Sequence, residues 1–439
     1  MNHKLAKTFV ISVFLAGLGL GIILSSNPAF NPLTKVAAQT SKSEDMKISP
    51  VLPTMNRDVF YPGTEALAPD EMRVTALGTG MPWPRPAQAG PCFLVELGNG
   101  DKFLFDLGEG CVENLVALQI PWPYLDKLFI GHLHGDHFGD LGALFISGGL
   151  GGRYSPLRVW GPSGPTPELG TAYAVDHIEK AFTWDRASRA GYVDVRGFRF
   201  ETHEFDYKNV NEPIFQENDV TIRSIPAIHA LDGPVSFILQ WNGMKFVFSS
   251  DTAPNKWFDK YARDADLVVH ESFITARDVW KKLKADPASA LFAGTQAHTA
   301  PEAFGKIMSR LKPRRAVAYH FFKDHDTTVA ILDAIRQTYN GPLSLAEDFM
   351  VWNVTKDNIR ERVAIVNEHS WNPPKPIPGK APTVADRDEF AAAIGVKTSD
   401  LEFSPETLKN RLDVDDVVQP IYEALGKEVG MKFNFPDPR

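Results

Sequence analysis

The sequence predicts an α/β fold in which two β-sheets pack together with helices outside them, a four-layer αβ/βα sandwich carrying a short C-terminal helical extension. Two strand-rich series occur along the chain, separated by a stretch poor in apolar periodicity. Their strands are short apolar or alternating runs, which suits burial on one or both faces. Acidic and imidazole side chains recur directly after these strands, at the place where open α/β sheets assemble their sites.

In the first series, strands are expected over residues 73–77, 92–97 and 102–106, with a Gly/Pro loop at 78–86 too broken for helix or ladder. A helix over 110–120, a strand over 127–130 and a helix over 140–146 follow. Residues 148–218 read as loop-rich with one helix, 171–182. The second series has strands at 221–225, 235–241, 245–249 and 267–270, a helix at 301–311 and a strand at 316–319. A proline-rich linker at 373–382 leads to helical segments at 386–394 and 414–425. The expected organisation is a signal or anchor at 1–40, an irregular lead-in at 41–71, a main folded domain at 72–369, and a linker with helical extension at 370–439.

Residues 1–40 read as an export signal. Lys4 and Lys7 precede an apolar stretch at 8–24, and Ala37, Ala38 and Gln39 offer small residues for cleavage. An uncleaved membrane anchor is the competing reading, because seventeen residues lie near the lower limit of a span, roughly 17–25 residues. Either way the folded part is expected outside the cytoplasm, periplasmic or secreted. The formal net charge of -8 becomes -11 without Lys4, Lys7 and Lys35, which disfavours holding a polyanion by bulk electrostatics. The two cysteines, Cys92 and Cys111, are too few for a disulfide scaffold. They could pair, but two separate buried thiols are the expectation.

His132, His134, Asp136 and His137 fall within six positions, directly after the apolar run at 128–130. Imidazole nitrogen and carboxylate oxygen are the ligand set of hydrolytic zinc, and a divalent cation removes the conflict among four ionisable groups so close together. Asp106, His229, Asp251, His270, Glu271 and His320 each follow or end a strand. For any one of these alone, a capped or hydrogen-bonded structural residue is the plainer reading. Their recurrence at one topological place favours a shared site.

With these motifs the chain resembles the metallo-β-lactamase superfamily, and within it the ribonuclease Z-like and arylsulfatase-like branch. The resemblance covers about 74–354. It rests on 77–80, 105–110, the 132–137 cluster, His229, 250–252, 270–272, 298–302 and His320. It implies a two-zinc hydrolase in which His132, His134 and His229 hold one ion, Asp136, His137 and His320 hold the other, and Asp251 bridges them. A hydroxide held between the ions would be the nucleophile, with Asp136 orienting or deprotonating the water. His298 would be the general acid and Glu271 its orienting carboxylate; an N-cap for the helix at 301–311 is the bland alternative for His298. Asp106 is expected to support ligands rather than bind metal. Trp83, Pro84, Phe321 and Phe322 are candidates for an apolar substrate wall.

From Arg153 to Arg223 nine Lys and Arg face eleven Asp and Glu, so no basic arm for tRNA is evident there. The first expectation is therefore hydrolysis of a small ester, aryl sulfate ahead of phosphodiester, without a nucleic-acid partner. A ribonuclease Z-type phosphodiesterase, a hydrolytic aromatic dehalogenase, a lactonase or thioester hydrolase, and a non-catalytic metal-dependent binding protein are the alternatives. Homodimerisation is expected by analogy alone.

Overall fold

Along the strand Cys92–Leu97, Phe93 and Val95 enter one apolar cluster while Cys92 and Leu94 enter another. The same two-residue alternation recurs at Phe103 and Phe105 against Leu104, and at Phe246 and Phe248 against Val247. Side chains that alternate between two apolar environments need cover on both faces of each sheet. The computed structural model describes residues 58–191, 193–373, 384–412, 414–430 and 432. The signal or anchor expected at 1–40 and most of the linker at 373–382 lie outside the described residues.

The first sheet opens with β1 (Asp58–Phe60), β2 (Met72–Gly78), β3 (Cys92–Leu97), β4 (Lys102–Phe105), β5 (Lys127–Phe129), β6 (Leu157–Pro162) and β7 (Phe200–Phe205). The second holds β8 (Glu212–Glu217), β9 (Val220–Pro226), β10 (Val235–Trp241), β11 (Met244–Phe248), β12 (Leu267–Glu271), β13 (Arg315–Tyr319) and β14 (Leu343–Leu345). The chain then returns to the first sheet as β15 (Met350–Val354) and β16 (Ile359–Ala364). Among the described residues the orders are β1-β16-β15-β2-β3-β4-β5-β6-β7 and β14-β13-β12-β11-β10-β9-β8.

Between the sheets lies an aromatic-rich core, in which the Phe105 ring sits 5.3–5.9 Å from those of Phe129, Phe237, Phe246 and Phe248. Outside the first sheet, Leu115, Leu141, Leu144 and Val175 come from the helices Cys111–Ala117, Leu141–Gly151 and Thr171–Ala181. Outside the second, Phe258, Phe304, Met308, Ile331 and Ile335 come from helices at Lys256–Tyr261, Pro301–Leu311 and His325–Arg336. The architecture is the four-layer αβ/βα sandwich that the alternation requires.

Several expectations need correction. Residues 148–218 are not loop-rich: they hold β6, β7, β8 and a second helix, Thr183–Arg189, beside the expected one. The strands β7 and β8 lie at sheet edges and are only partly buried, so their sequences lack the apolar runs of central strands. Within the lead-in, Asp58–Phe60 pairs in parallel with β16. Cys92 and Cys111 are not separate thiols but form a disulfide, their Cα atoms 6.3 Å apart. The turn after β4 brings the first residue of helix Cys111–Ala117 back against the start of β3, a separation that the linear sequence does not encode. In the tail, Phe390 and Ala391 of helix Val384–Ala393 are buried, and the Arg186 guanidinium lies 5.3 Å from the Phe390 ring.

Asp348, between β14 and β15, ties the 78–90 loop to the first helix. It accepts from Ala89 N at 2.7 Å, Thr79 Oγ1 at 2.8 Å and Asn114 Nδ2 at 3.3 Å. Burial pushes its carboxyl up to about 6, against those hydrogen bonds. A folded pKa above the unfolded value near 3.9 favours folding most at low pH, and this contribution is lost as pH rises to about 6. The free-energy difference between wild type and Asp348→Asn should therefore shift by roughly 2–3 kcal/mol between pH 4 and 7, wild type losing ground. Urea unfolding at each pH reads it, and a pH-independent difference would refute it.

Candidate metal centre

Six strand ends converge on one edge shared by the two sheets. The chain leaves β4 at Asp106, β5 at Gly131 and His132, β11 at Ser250 and Asp251, and β13 at His320, while β12 ends in His270 and Glu271. His229 follows β9. Three of these exits turn through the left-handed region, with φ of 55° at Asp106, 48° at Ser250 and 73° at His320. Non-glycine residues pay strain there, and such strain gathers at functional sites. Gly131 has no such freedom to spare: a Cβ on it would lie 2.3 Å from both Cβ and Oγ of Ser250. Close contact between the two sheet edges requires glycine at this point.

Two donor groups result. His132, His134, His229 and Asp251 form one, and Asp136, His137, Asp251 and His320 the other, each with its ligand atoms within 4.8 Å of one another. In the first, His134 Nδ1 lies 3.1 Å from both His132 Nε2 and His229 Nε2. In the second, Asp251 Oδ2 is 3.3 Å from both His137 Nε2 and His320 Nε2, and Asp136 Oδ2 is 3.3 Å from His320 Nε2. Ligands bound tetrahedrally at about 2.0–2.1 Å stand roughly 3.3 Å apart, so the spacing suits a metal ion. Asp251 Oδ1 and His320 Nδ1 are buried without a hydrogen-bond partner. Asp251 belongs to both groups, the place expected of a bridging carboxylate.

The ring nitrogens facing away from the centre fix the tautomers. His137 Nδ1 donates to Asp106 Oδ2 at 2.7 Å, and His229 Nδ1 donates to the Ala297 carbonyl at 2.7 Å. His132 Nδ1 contacts Ser250 Oγ at 3.1 Å, and that hydroxyl donates to Asp106 Oδ2 at 2.8 Å. Each bond leaves an Nε2 lone pair facing inward, as metal-ligating histidines require. Burial holds His132 well below the usual imidazole range, and takes His229 down to about 4. Burial opposes ionisation of Asp251, yet the imidazoles of His137, His320 and His298 outweigh it and keep the carboxylate charged. Uncharged His132 and His229 beside the ionised Asp251 carboxylate suit a cation.

Beside the second group, Glu271 Oε1 stands 3.1 Å from His298 Nδ1 and accepts from Thr252 N at 3.1 Å. Burial works against a charged His298, but the adjacent Glu271 carboxylate raises its affinity for a proton. The Phe273 ring stacks on His298 at 4.1 Å and holds its plane. His298 does not cap the following helix, whose N-cap is Ala300 without a side-chain bond. His270 stays out of the centre: its Nδ1 lies 2.6 Å from the Glu271 carbonyl and its ring packs on Phe258 and Phe304.

Phe321, expected on a substrate wall, is buried in the outer core, while Arg85 covers the Phe322 ring at 4.4 Å. Sequence reading also missed the orienting parts played by Ser250, the Ala297 carbonyl and Phe273. Ser250 stood next to Asp251 in a recognised motif, but nothing in the sequence marks a carbonyl or a stacking ring. Asp106→Asn should weaken metal affinity by about 10- to 100-fold, the usual cost of losing a carboxylate behind a ligating histidine. Competition against a chromogenic chelator measures this, and unchanged affinity in a folded variant would contradict the orienting role.

A model of the metallo-beta-lactamase superfamily matches residues 85–295. Over 205 residues the chain is 33% identical to ribonuclease Z of Mycobacterium marinum, covering 45% of this chain and 70% of that protein. Ribonuclease Z of Mycobacterium bovis matches with 33% identity over 205 residues, 45% of this chain and 69% of the relative. Among solved structures, human tRNase Z, short form, aligns at 22% identity over 64% of this chain and 98% of that one, with a TM-score of 0.48. The chain belongs to the metallo-beta-lactamase superfamily.

Proposed function

We propose that this protein is a two-zinc phosphodiesterase acting outside the cytoplasm. The observation that carries the reading is the Glu271–His298 pair, 3.1 Å apart and joined to the donor groups through Asp251, whose Oδ2 lies 3.7 Å from His298 Nδ1. An ester with a poor leaving group needs both charge neutralisation and a proton for the departing oxygen. Relatives a third identical over 205 residues are named ribonuclease Z, so their substrate is a phosphodiester. This support revises the expected order, in which aryl sulfate came first and a nucleic-acid partner was disfavoured.

His132, His134 and His229 would hold one ion, Asp136, His137 and His320 the other, with Asp251 shared. Bound divalent zinc supplies charge neutralisation and lowers the pKa of water to about 7. Asp136 orients the water and takes its proton as the oxygen bonds to phosphorus. His298 gives its Nε2 proton to the departing oxygen as the P–O bond breaks, while Glu271 holds Nδ1 and keeps the ring charged. The Cys92–Cys111 disulfide supports an oxidising compartment, as does the signal-like segment at 1–40.

A chromogenic panel tests the reading: phosphodiester, phosphomonoester, aryl sulfate, lactone and β-lactam, each before and after chelation. Phosphodiester turnover should lead the panel, fall to background on chelation and return with zinc. A metal-replete protein inert to every class would instead favour a binding role. His298→Gln should slow esters of poorly acidic alcohols by about 100- to 10,000-fold, the range of general acid catalysis. The same variant should slow esters of acidic phenols much less, with metal content unchanged. An equal loss across leaving groups would exclude proton donation by His298.

A further inference from the structure

A cavity of about 480 Å³ opens beside the first donor group, outside the catalytic pair. His229 and Ala297 line it, and these two are joined by the 2.7 Å bond between His229 Nδ1 and the Ala297 carbonyl. Ala297 immediately precedes His298, so the cavity borders the first donor group and ends one residue short of the catalytic pair. Its wall carries the rings of Tyr207, Trp257 and Phe292 together with Ile228 and Leu231. Four of these large apolar side chains are open to solvent: Phe292 at 62%, Leu231 at 57%, Ile228 at 48% and Trp257 at 37%. Scattered exposed apolar residues need no explanation, but several gathered round one concavity next to candidate ligands do.

The wall is held in shape without an occupant. Ala227 N donates to the Pro234 carbonyl at 2.9 Å, and Ala253 N donates to the Ile228 carbonyl at 2.7 Å, which anchors the loop bearing Ile228 and Leu231. Asn255 caps the helix carrying Trp257, and Asp286 caps the helix that ends at Phe292. Capping fixes the backbone that carries these two rings, so a flat ligand stacking on them need not order it. Gln296 and Lys208 add hydrogen-bond donors to the lining, and Asp232 adds a carboxylate.

We propose that this cavity receives a planar aromatic group of the substrate ester, stacked against Trp257 and Phe292 beside His229. The assignment rests on the phosphodiesterase reading for its chemistry, but not for its ring-binding site. A simple arene and a nucleobase share the recognised feature, a flat π-face.

The test is calorimetric titration of 2-naphthol and, separately, adenosine onto the zinc-loaded full chain, for wild type, Trp257→Ala and Phe292→Ala. Both side chains are solvent-accessible, and circular dichroism and zinc content establish that the variants fold. At least one of the two probes should bind wild type, with affinity reduced about tenfold in each variant, the scale of one lost stacking contact. Which probe binds tells arene from nucleobase. In parallel, the ratio of kcat/KM for an aryl phosphodiester to that for an alkyl one of matched leaving-group pKa should fall about tenfold. Ring binding that depends on Trp257, in a protein that cleaves no phosphodiester, would sustain the cavity and sink the functional reading. Phosphodiester cleavage with neither ring binding nor a change in the aryl-to-alkyl ratio would overturn the cavity alone. Variants that only dissociate a dimer, leaving ring affinity intact, would also overturn it.

Discussion

The centre depends on one buried carboxylate, Asp106. Its Oδ1 accepts from Gly131 N at 2.7 Å, and its Oδ2 receives both His137 Nδ1 and Ser250 Oγ. Gly131 and His137 belong to the first sheet's side of the centre, Ser250 to the second. The three contacts therefore pin the edges of two sheets to one point. Burial alone would favour a neutral Asp106. The hydrogen bonds and the neighbouring imidazole offset that cost only while both sheets keep their relative position. Orientation of ligands and registry of the two layers are the same constraint seen from two sides.

Period-two burial explains how such a point arises. Central strands covered on both faces place most of their polar groups at their ends, because their interior positions are largely committed to one core or the other. β4, β5, β11, β12 and β13 all deliver their polar residues to the same edge, and the parallel pairings β4–β5, β11–β12 and β12–β13 keep those ends level. Left-handed turns at Asp106, Ser250 and His320 then aim side chains across the gap instead of onward into solvent. The strain is borne by a core that packs Phe105 against four other rings.

Much of this was legible in the sequence. Strands β3 and β10 and the helix Pro301–Leu311 lie at the residues expected, since each combines strong periodicity with clear punctuation. The candidate ligands could be found because histidines and aspartates recur after several apolar runs at the same topological place. Edge strands β7 and β8 could not, as partial burial leaves them polar. The disulfide depended on a separation in space, and the stacking of Phe273 on His298 on a side-chain direction. The aromatic cavity escaped for the same reason: Tyr207, Trp257 and Phe292 come from three distant segments, and each alone reads as ordinary packing.

Charge and shape divide the labour of selectivity. Asp106, Asp136, Asp251 and Glu271 are buried together, and burial holds His132 and His229 beside them uncharged. Bound divalent cations would offset these carboxylates, and an anionic ester centre would then be drawn by the ions rather than by the protein. Ions of that kind treat phosphate and sulfate esters alike, because both spread charge over non-bridging oxygens. Discrimination must then come from the organic group, through surfaces outside the cage. The loop from Ile228 to Gly233 is well placed for this, since it begins beside His229 and lines cavities of about 480 and 250 Å³. A change at Leu231 or Asp232 would alter which ester fits while leaving His229 and the other donor residues in place.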